Sequence, residues 1–125
     1  MSYRSPLGRA RGYGSAKDGT HHFWVQRVSA VALIPLTIWL VFSLARLPGS
    51  YEAVRWWVHA PSVAIALVLF VSCALYHSML GVQVVIEDYV GGEGAKIVGL
   101  LISRFAHTIA GVAGVFAVLK IALTG

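Results

Sequence analysis

Three long apolar stretches run along the chain, and most of its charges fall between them. From Val28 to Ala45 there are eighteen consecutive residues without a charge, closed by Arg46 and the turn Leu47-Pro48-Gly49-Ser50. About 20 apolar residues in a helix cross a bilayer, so this run predicts a first spanning helix over about 26–46. Trp56 to Ile86 is a second charge-free run, of thirty-one residues. Pro61 trims it, because proline suits the first helical turn and pushes the residue before it out of helical geometry. The second span is therefore expected over 61–89, with Trp56, Trp57 and His59 in its interfacial approach. Gly91-Gly92-Glu93-Gly94 breaks the chain, and Ala95 to Leu123 forms a third span, about 96–123, interrupted only by Arg104 and Lys120. Residues 1–25 are polar and Gly-rich without an apolar stretch, so they read as a polar segment ahead of a membrane anchor domain, 26–125, and not as a secretory signal. The fold class that follows is an all-α membrane protein with three transmembrane helices.

Composition agrees. Of 125 residues, 58% are apolar and only 12% charged, with a mean hydropathy of +0.75, whereas a soluble domain carries about a quarter charged residues. The net charge of +5 therefore points to lipid head groups and membrane orientation before nucleic acid, for which no basic-aromatic patch is present. Residues 1–27 hold five Lys or Arg and the 87–96 loop adds Lys96, against Arg46, Arg55 and Lys120 on the other side. This six-to-three excess predicts a cytoplasmic N-terminus and an external C-terminus. The single cysteine, Cys73, excludes an internal disulfide and a cysteine-built metal cluster. The spans share neither spacing nor polar residues, which argues against a transporter built from inverted repeats.

Each polar side chain inside a span needs a reason. His77 lies eleven or twelve residues before the Asp88-Tyr89 end of its span, about 16–18 Å in and close to mid-membrane. A neutral imidazole there suits a haem axial ligand, a proton relay or a hydrogen-bonded helix contact. Gly81, one turn on, leaves a notch for a flat ring; with Cys73 one turn back it equally suits close helix packing. His107 on the third span reads as displaced toward the cytoplasmic side, so one chain does not plainly supply two ligands to one iron. Glu87-Asp88-Tyr89 places acids at a helix C-terminus, where the macrodipole disfavours them. They call for a compensating cation or a proton-handling role, unless they are simply solvated beyond an aromatic belt. Asp88 returns to the face of His77, and Tyr89 turns away by about 100°. Arg27 either sets topology or serves as a cation for an anionic group at the membrane edge. Arg104 is expected to snorkel to the cytoplasmic surface, and Ala106, Ala110, Gly114 and Ala117 to form a packing stripe.

The run His77-Ser78-Met79-Leu80-Gly81-Val82-Gln83-Val84-Val85-Ile86-Glu87-Asp88-Tyr89-Val90 resembles the His-x-x-x-Gly-x-x-x-Val-Ile-x-Asp-Tyr-Val motif of the D-type hydrophobic membrane anchor of succinate dehydrogenase, respiratory complex II. Gly19 to Ala30, with His21-His22 and Arg27, is similar to the segment leading into that family's first span, and length and span number agree from Gly19 onward. The resemblance implies a helix bundle shared with a companion C-type anchor subunit. It implies that His77 is an axial ligand of haem b, whose other ligand comes from that companion, and that Arg27 lies near the haem propionates. Tyr89 matches a tyrosine that hydrogen-bonds a ubiquinone carbonyl oxygen, and Asp88 the neighbouring acid of the quinone site. His22 stands where some relatives carry an acid, and residues 1–18 have no counterpart.

The implied function is to hold a flavoprotein and an iron-sulfur subunit at the membrane and to form part of the ubiquinone-reduction site. The chain would be an enzyme only as a subunit, catalysing nothing alone. The main rival is a haem-free structural anchor or assembly subunit in which His77 only bridges helices. A two-haem electron carrier needs two histidine pairs, and a small multidrug exporter needs a buried acid in the first span; the chain has neither. No Arg- and Ser-rich amphipathic presequence longer than the short N-terminal tail is present, so a bacterial inner membrane is expected over a mitochondrial one.

Overall fold

Proline and glycine set the boundaries between helices. The computed structural model describes residues 16–124; Arg4, Arg9 and Arg11 of the cation count lie outside them, with Gly125 and most of the 1–25 segment. Helix α1 spans Ala16–Arg46, α2 Tyr51–His59, α3 Pro61–Tyr89 and α4 Glu93–Thr124. After Arg46 the Pro48-Gly49 turn stops α1, and Ser50 restarts the chain as the N-cap of α2, its side chain accepting from the Ala53 N–H at 3.2 Å. Ala60 is extended (φ −67°, ψ 123°), the geometry imposed before proline, and Pro61 opens α3. Gly92 reverses the chain into α4 at φ +85°, a conformation that glycine adopts without steric cost.

Three of these helices are long and apolar enough to cross a membrane. The second coincides with the expected span. The first begins ten residues earlier than expected: the helix continues through His21, His22 and Gln26, whose polarity reads in sequence as a tail although it does not oppose helical geometry. The Trp56-Trp57 approach forms a separate short helix, α2, whose Trp57 ring stacks on Trp39 of α1 with centroids 5.7 Å apart.

The helices pack in a row. α3 packs its backbone against both α1 and α4, and α2 rests on α3 and α4. Among the described residues only Val58, Ala64, Leu80 and Ser29 are buried, while Ile34, Phe42, Phe105, Phe116 and many other large apolar residues are exposed. A water-soluble protein buries such side chains; this surface is built for lipid and for other apolar chains. Glycines bring α3 and α4 close. A Cβ at Gly114 would lie 3.0 Å from Val71, one at Gly111 3.6 Å from Leu75, and one at Gly99 3.4 Å from Ile86. The packing seam therefore runs along Gly99, Gly111 and Gly114, and of the expected small-residue stripe only Gly114 lies in it; Ala106, Ala110 and Ala117 remain exposed.

Candidate functional site

The contact between α1 and α3 is built around one polar pair in an apolar setting. Ser29 is buried, with 8% of its surface accessible, and its Oγ lies 3.0 Å from His77 Nδ1. The same hydroxyl donates to the Gln26 backbone carbonyl at 2.9 Å. A serine hydroxyl carries one proton. With that proton on the Gln26 carbonyl, Ser29 meets His77 as an acceptor, an arrangement that suits the tautomer carrying its proton on Nδ1. The Nε2 lone pair is then free, the protonation state that an imidazole needs to ligate a metal.

Beside His77 an open groove of about 380 Å³ runs along α1, lined by Ala30, Leu33, Ile34, Thr37 and Ile38. At 100° per residue, Phe23, Arg27, Ala30, Ile34 and Ile38 fall on one stripe of α1, so Arg27 sits on the groove side, about one turn before the first lining residue. Its guanidinium stacks over the Phe23 ring at 4.9 Å and has no carboxylate partner among the described residues. Gly81 follows His77 by one turn, and a Cβ there would meet nothing within 4 Å. The notch expected beside the imidazole is open space.

Asp88 and Tyr89 lie in the last turn of α3, about 16–18 Å from His77 along the helix axis. The structure thus does not bring the two halves of the expected site together. Tyr89 is 84% exposed and Asp88 is exposed, and neither side chain has a hydrogen-bond partner among the described residues. The cation that two acids at a helix C-terminus call for is present as Lys96, whose Nζ donates to the Glu87 backbone carbonyl at 2.7 Å. Glu87 itself accepts from Gln83 Nε2 at 2.8 Å.

His107 is deeper than the sequence suggests. Its Nε2 is 3.2 Å from Ser78 Oγ, which sets it level with the residue after His77, and its Nδ1 is 2.8 Å from the Ser103 carbonyl oxygen. Both ring nitrogens are engaged, so His107 acts as a bridge between α3 and α4. Sequence reading gave Ser29 no role at the site and used Lys96 only in the cation count. A hydroxyl one turn past Arg27 in a charge-free run was the available signal for Ser29, but a partner 48 residues away is not visible in a linear pattern. Among the described residues no group of three or more His, Cys, Asp or Glu side chains is placed to hold a metal ion; an axial ligand to a haem needs only one.

The family model described as succinate dehydrogenase/fumarate reductase transmembrane subunit matches residues 1–119. A succinate dehydrogenase hydrophobic membrane anchor subunit of Rickettsia bellii (strain RML369-C) is 40% identical over 89 residues, covering 70% of this chain and 71% of the relative. The protein of the same description from Paracoccus denitrificans is 38% identical over 97 residues, covering 77% and 75%. A succinate dehydrogenase membrane anchor subunit of Reclinomonas americana is 32% identical over 92 residues, covering 70% and 77%. No solved structure matches the chain significantly.

Proposed function

The chain belongs to the succinate dehydrogenase/fumarate reductase transmembrane subunit family, and from that premise we propose that it anchors succinate dehydrogenase in the membrane, contributes one axial ligand to a haem b and forms part of the ubiquinone-reduction site. The observation that carries the haem reading is the Ser29–His77 pair, which holds the imidazole through Nδ1 beside an apolar groove and leaves Nε2 without a hydrogen-bond partner among the described residues. The residues present fit the group. The groove walls are apolar, Gly81 leaves room beside the ring, and Arg27 supplies a cation on the groove side for propionate carboxylates. Held by His77, haem would supply one-electron redox chemistry. Ser29 orients the imidazole and fixes its proton, while Leu33, Ile34 and Ile38 exclude water.

At the end of α3 the chemistry is that of a proton-coupled reduction. A quinone carbonyl oxygen gains negative charge as electrons arrive, so a phenol donor stabilises the charged state more than the starting one. Tyr89 presents such a hydroxyl, and Asp88 beside it holds a water or a cation for proton delivery. Their exposure matches a pocket whose other walls come from partner chains: an iron-sulfur subunit fed by a flavoprotein, and a companion C-type anchor that supplies the second haem ligand. The chain has no activity of its own. By the cation count its N-terminus and the 87–96 loop face the cytoplasm of a bacterial inner membrane.

The rival is a haem-free anchor, and the Ser78–His107–Ser103 bridge favours it, because it shows one histidine of this chain serving only to join helices. A mild-detergent pull-down of the chain from its native membrane separates the two. Co-purification of the catalytic subunits with a b-type reduced-minus-oxidised spectrum supports the haem reading; co-purification without that spectrum leaves the structural anchor alone standing.

A further inference from the structure

The last turn of α3 carries Asp88 and Tyr89, and few contacts within this chain hold it. Both side chains are exposed, and Glu87 and Asp88 set negative charge against the negative end of the helix macrodipole, which loosens the turn. Val90 then leaves the helix in an extended conformation (φ −85°, ψ 122°), with its N–H on the Ile86 carbonyl at 3.1 Å. The Glu87 carbonyl, next in the ladder, has no backbone donor left to meet it. Lys96 meets it from the neighbouring helix, with Nζ 2.7 Å from the oxygen. Among the described residues this is the one hydrogen bond that ties the last turn of α3 to another helix.

A cation gains nothing from this position on its own helix. Lys96 lies three residues past Glu93, the first residue of α4, at the positive end of that helix's macrodipole, whereas its ammonium reaches the negative end of α3. Glycine makes the reach possible. A Cβ at Gly99 would stand 3.4 Å from Ile86, so α4 comes close to α3 three residues beyond Lys96, and the lysine stem has only the width of that seam to cross. On the other side Gly92 turns the chain at φ +85°, and the Lys96 N–H closes on the Gly92 carbonyl at 3.1 Å, which fixes where α4 begins. We propose that Lys96 is a positioning residue for the quinone-reducing end of α3: by capping the Glu87 carbonyl with a charge-assisted hydrogen bond, it holds the turn that presents the Tyr89 hydroxyl and the Asp88 carboxylate. It acts through Tyr89 and not by contact with the quinone. The inference rests on the reading of Tyr89 and Asp88 as quinone-site residues, and it makes the geometry of that site depend on this chain's own α3–α4 junction.

The test is a double-mutant cycle on the intact complex, assayed with a short-chain ubiquinone and, separately, with a soluble artificial electron acceptor. Lys96→Met keeps the stem and removes the donor. It lowers kcat/KM for ubiquinone roughly tenfold, since displacing a reacting group by about 1 Å suffices for losses of that order or more, while succinate oxidation by the soluble acceptor is unchanged. Lys96→Arg, which still donates to a carbonyl, stays near the parent. In a Tyr89→Phe background Lys96→Met adds little to the loss, because two residues that act through one hydroxyl are not additive. If Lys96→Met fails to assemble, Lys96→Gln, a neutral donor on a shorter stem, takes its place in the cycle with the same expectation. A parental quinone kcat/KM beside an impaired Tyr89→Phe, losses that multiply in the double variant, or an equal loss with both acceptors overturns the positioning role. A parental quinone rate in Tyr89→Phe instead removes the quinone-site reading on which that role rests.

Discussion

The behaviour of His77 turns on one proton. Ser29 donates to the Gln26 carbonyl, and with its proton there it steadies the imidazole by accepting from Nδ1, the tautomer that leaves Nε2 free. Ser29→Ala removes the acceptor and leaves Nδ1–H unpaired at a buried contact. The purified complex is then expected to show a shifted haem midpoint potential and altered low-spin electron paramagnetic resonance, while Ser29→Thr, which keeps the hydroxyl, stays near the parent. Identical potentials in all three would reduce Ser29 to a helix contact. At the other end of α3, Tyr89→Phe removes a hydroxyl and nothing else. Donors that meet developing charge contribute about 2.7–4 kcal/mol in enclosed oxyanion sites, and less in a pocket open to water. Succinate-to-quinone turnover is expected to fall roughly tenfold or more, with haem content and succinate oxidation by a soluble acceptor unchanged; an unaffected quinone rate would make Tyr89 an aromatic-belt residue.

At the scale of elements, the α3–α4 pair depends on absent side chains. Gly114→Leu would drive a γ-branched side chain into Val71, where even a Cβ stands at 3.0 Å. Overpacking of this kind costs about 1–3 kcal/mol, so the thermal midpoint of the purified protein should drop, whereas Gly94→Ala, with open space at its Cβ, should leave it near the parent. A tolerant Gly114→Leu would place the seam elsewhere. The boundaries around α3 were legible in sequence because Pro61 and Gly92 have local steric consequences that no tertiary contact overrides. The start of α1 was not, because His21, His22 and Gln26 are polar without being helix breakers. Nor was α2, whose tryptophans merge into the charge-free run of α3 until Ala60 turns the chain. The depth of His107 and the Ser29–His77 pair depend on which faces of different helices meet, and that register is absent from any one segment.

The molecule as a whole is a sheet of helices with almost no interior: four described residues are buried, and the apolar faces on both sides await lipid or partner chains. Three spans and an odd crossing number follow from the length of the three apolar stretches, and the cation excess adds a direction. A reporter fused after Gly125 is therefore expected outside the cytoplasm and one inserted in the 91–94 loop inside it; cytoplasmic labelling at both positions would mean an even number of crossings. The family and the anchor role were legible in the run from His77 to Val90, whereas the partner-built walls of the haem and quinone pockets lie outside this chain. The central claim, that this anchor holds haem through His77, is tested most directly by the reduced-minus-oxidised spectrum of intact complex carrying His77→Leu. The account predicts that the b-type signal disappears while the chain still inserts and the catalytic subunits still co-purify; a full b-type signal from that variant would contradict it.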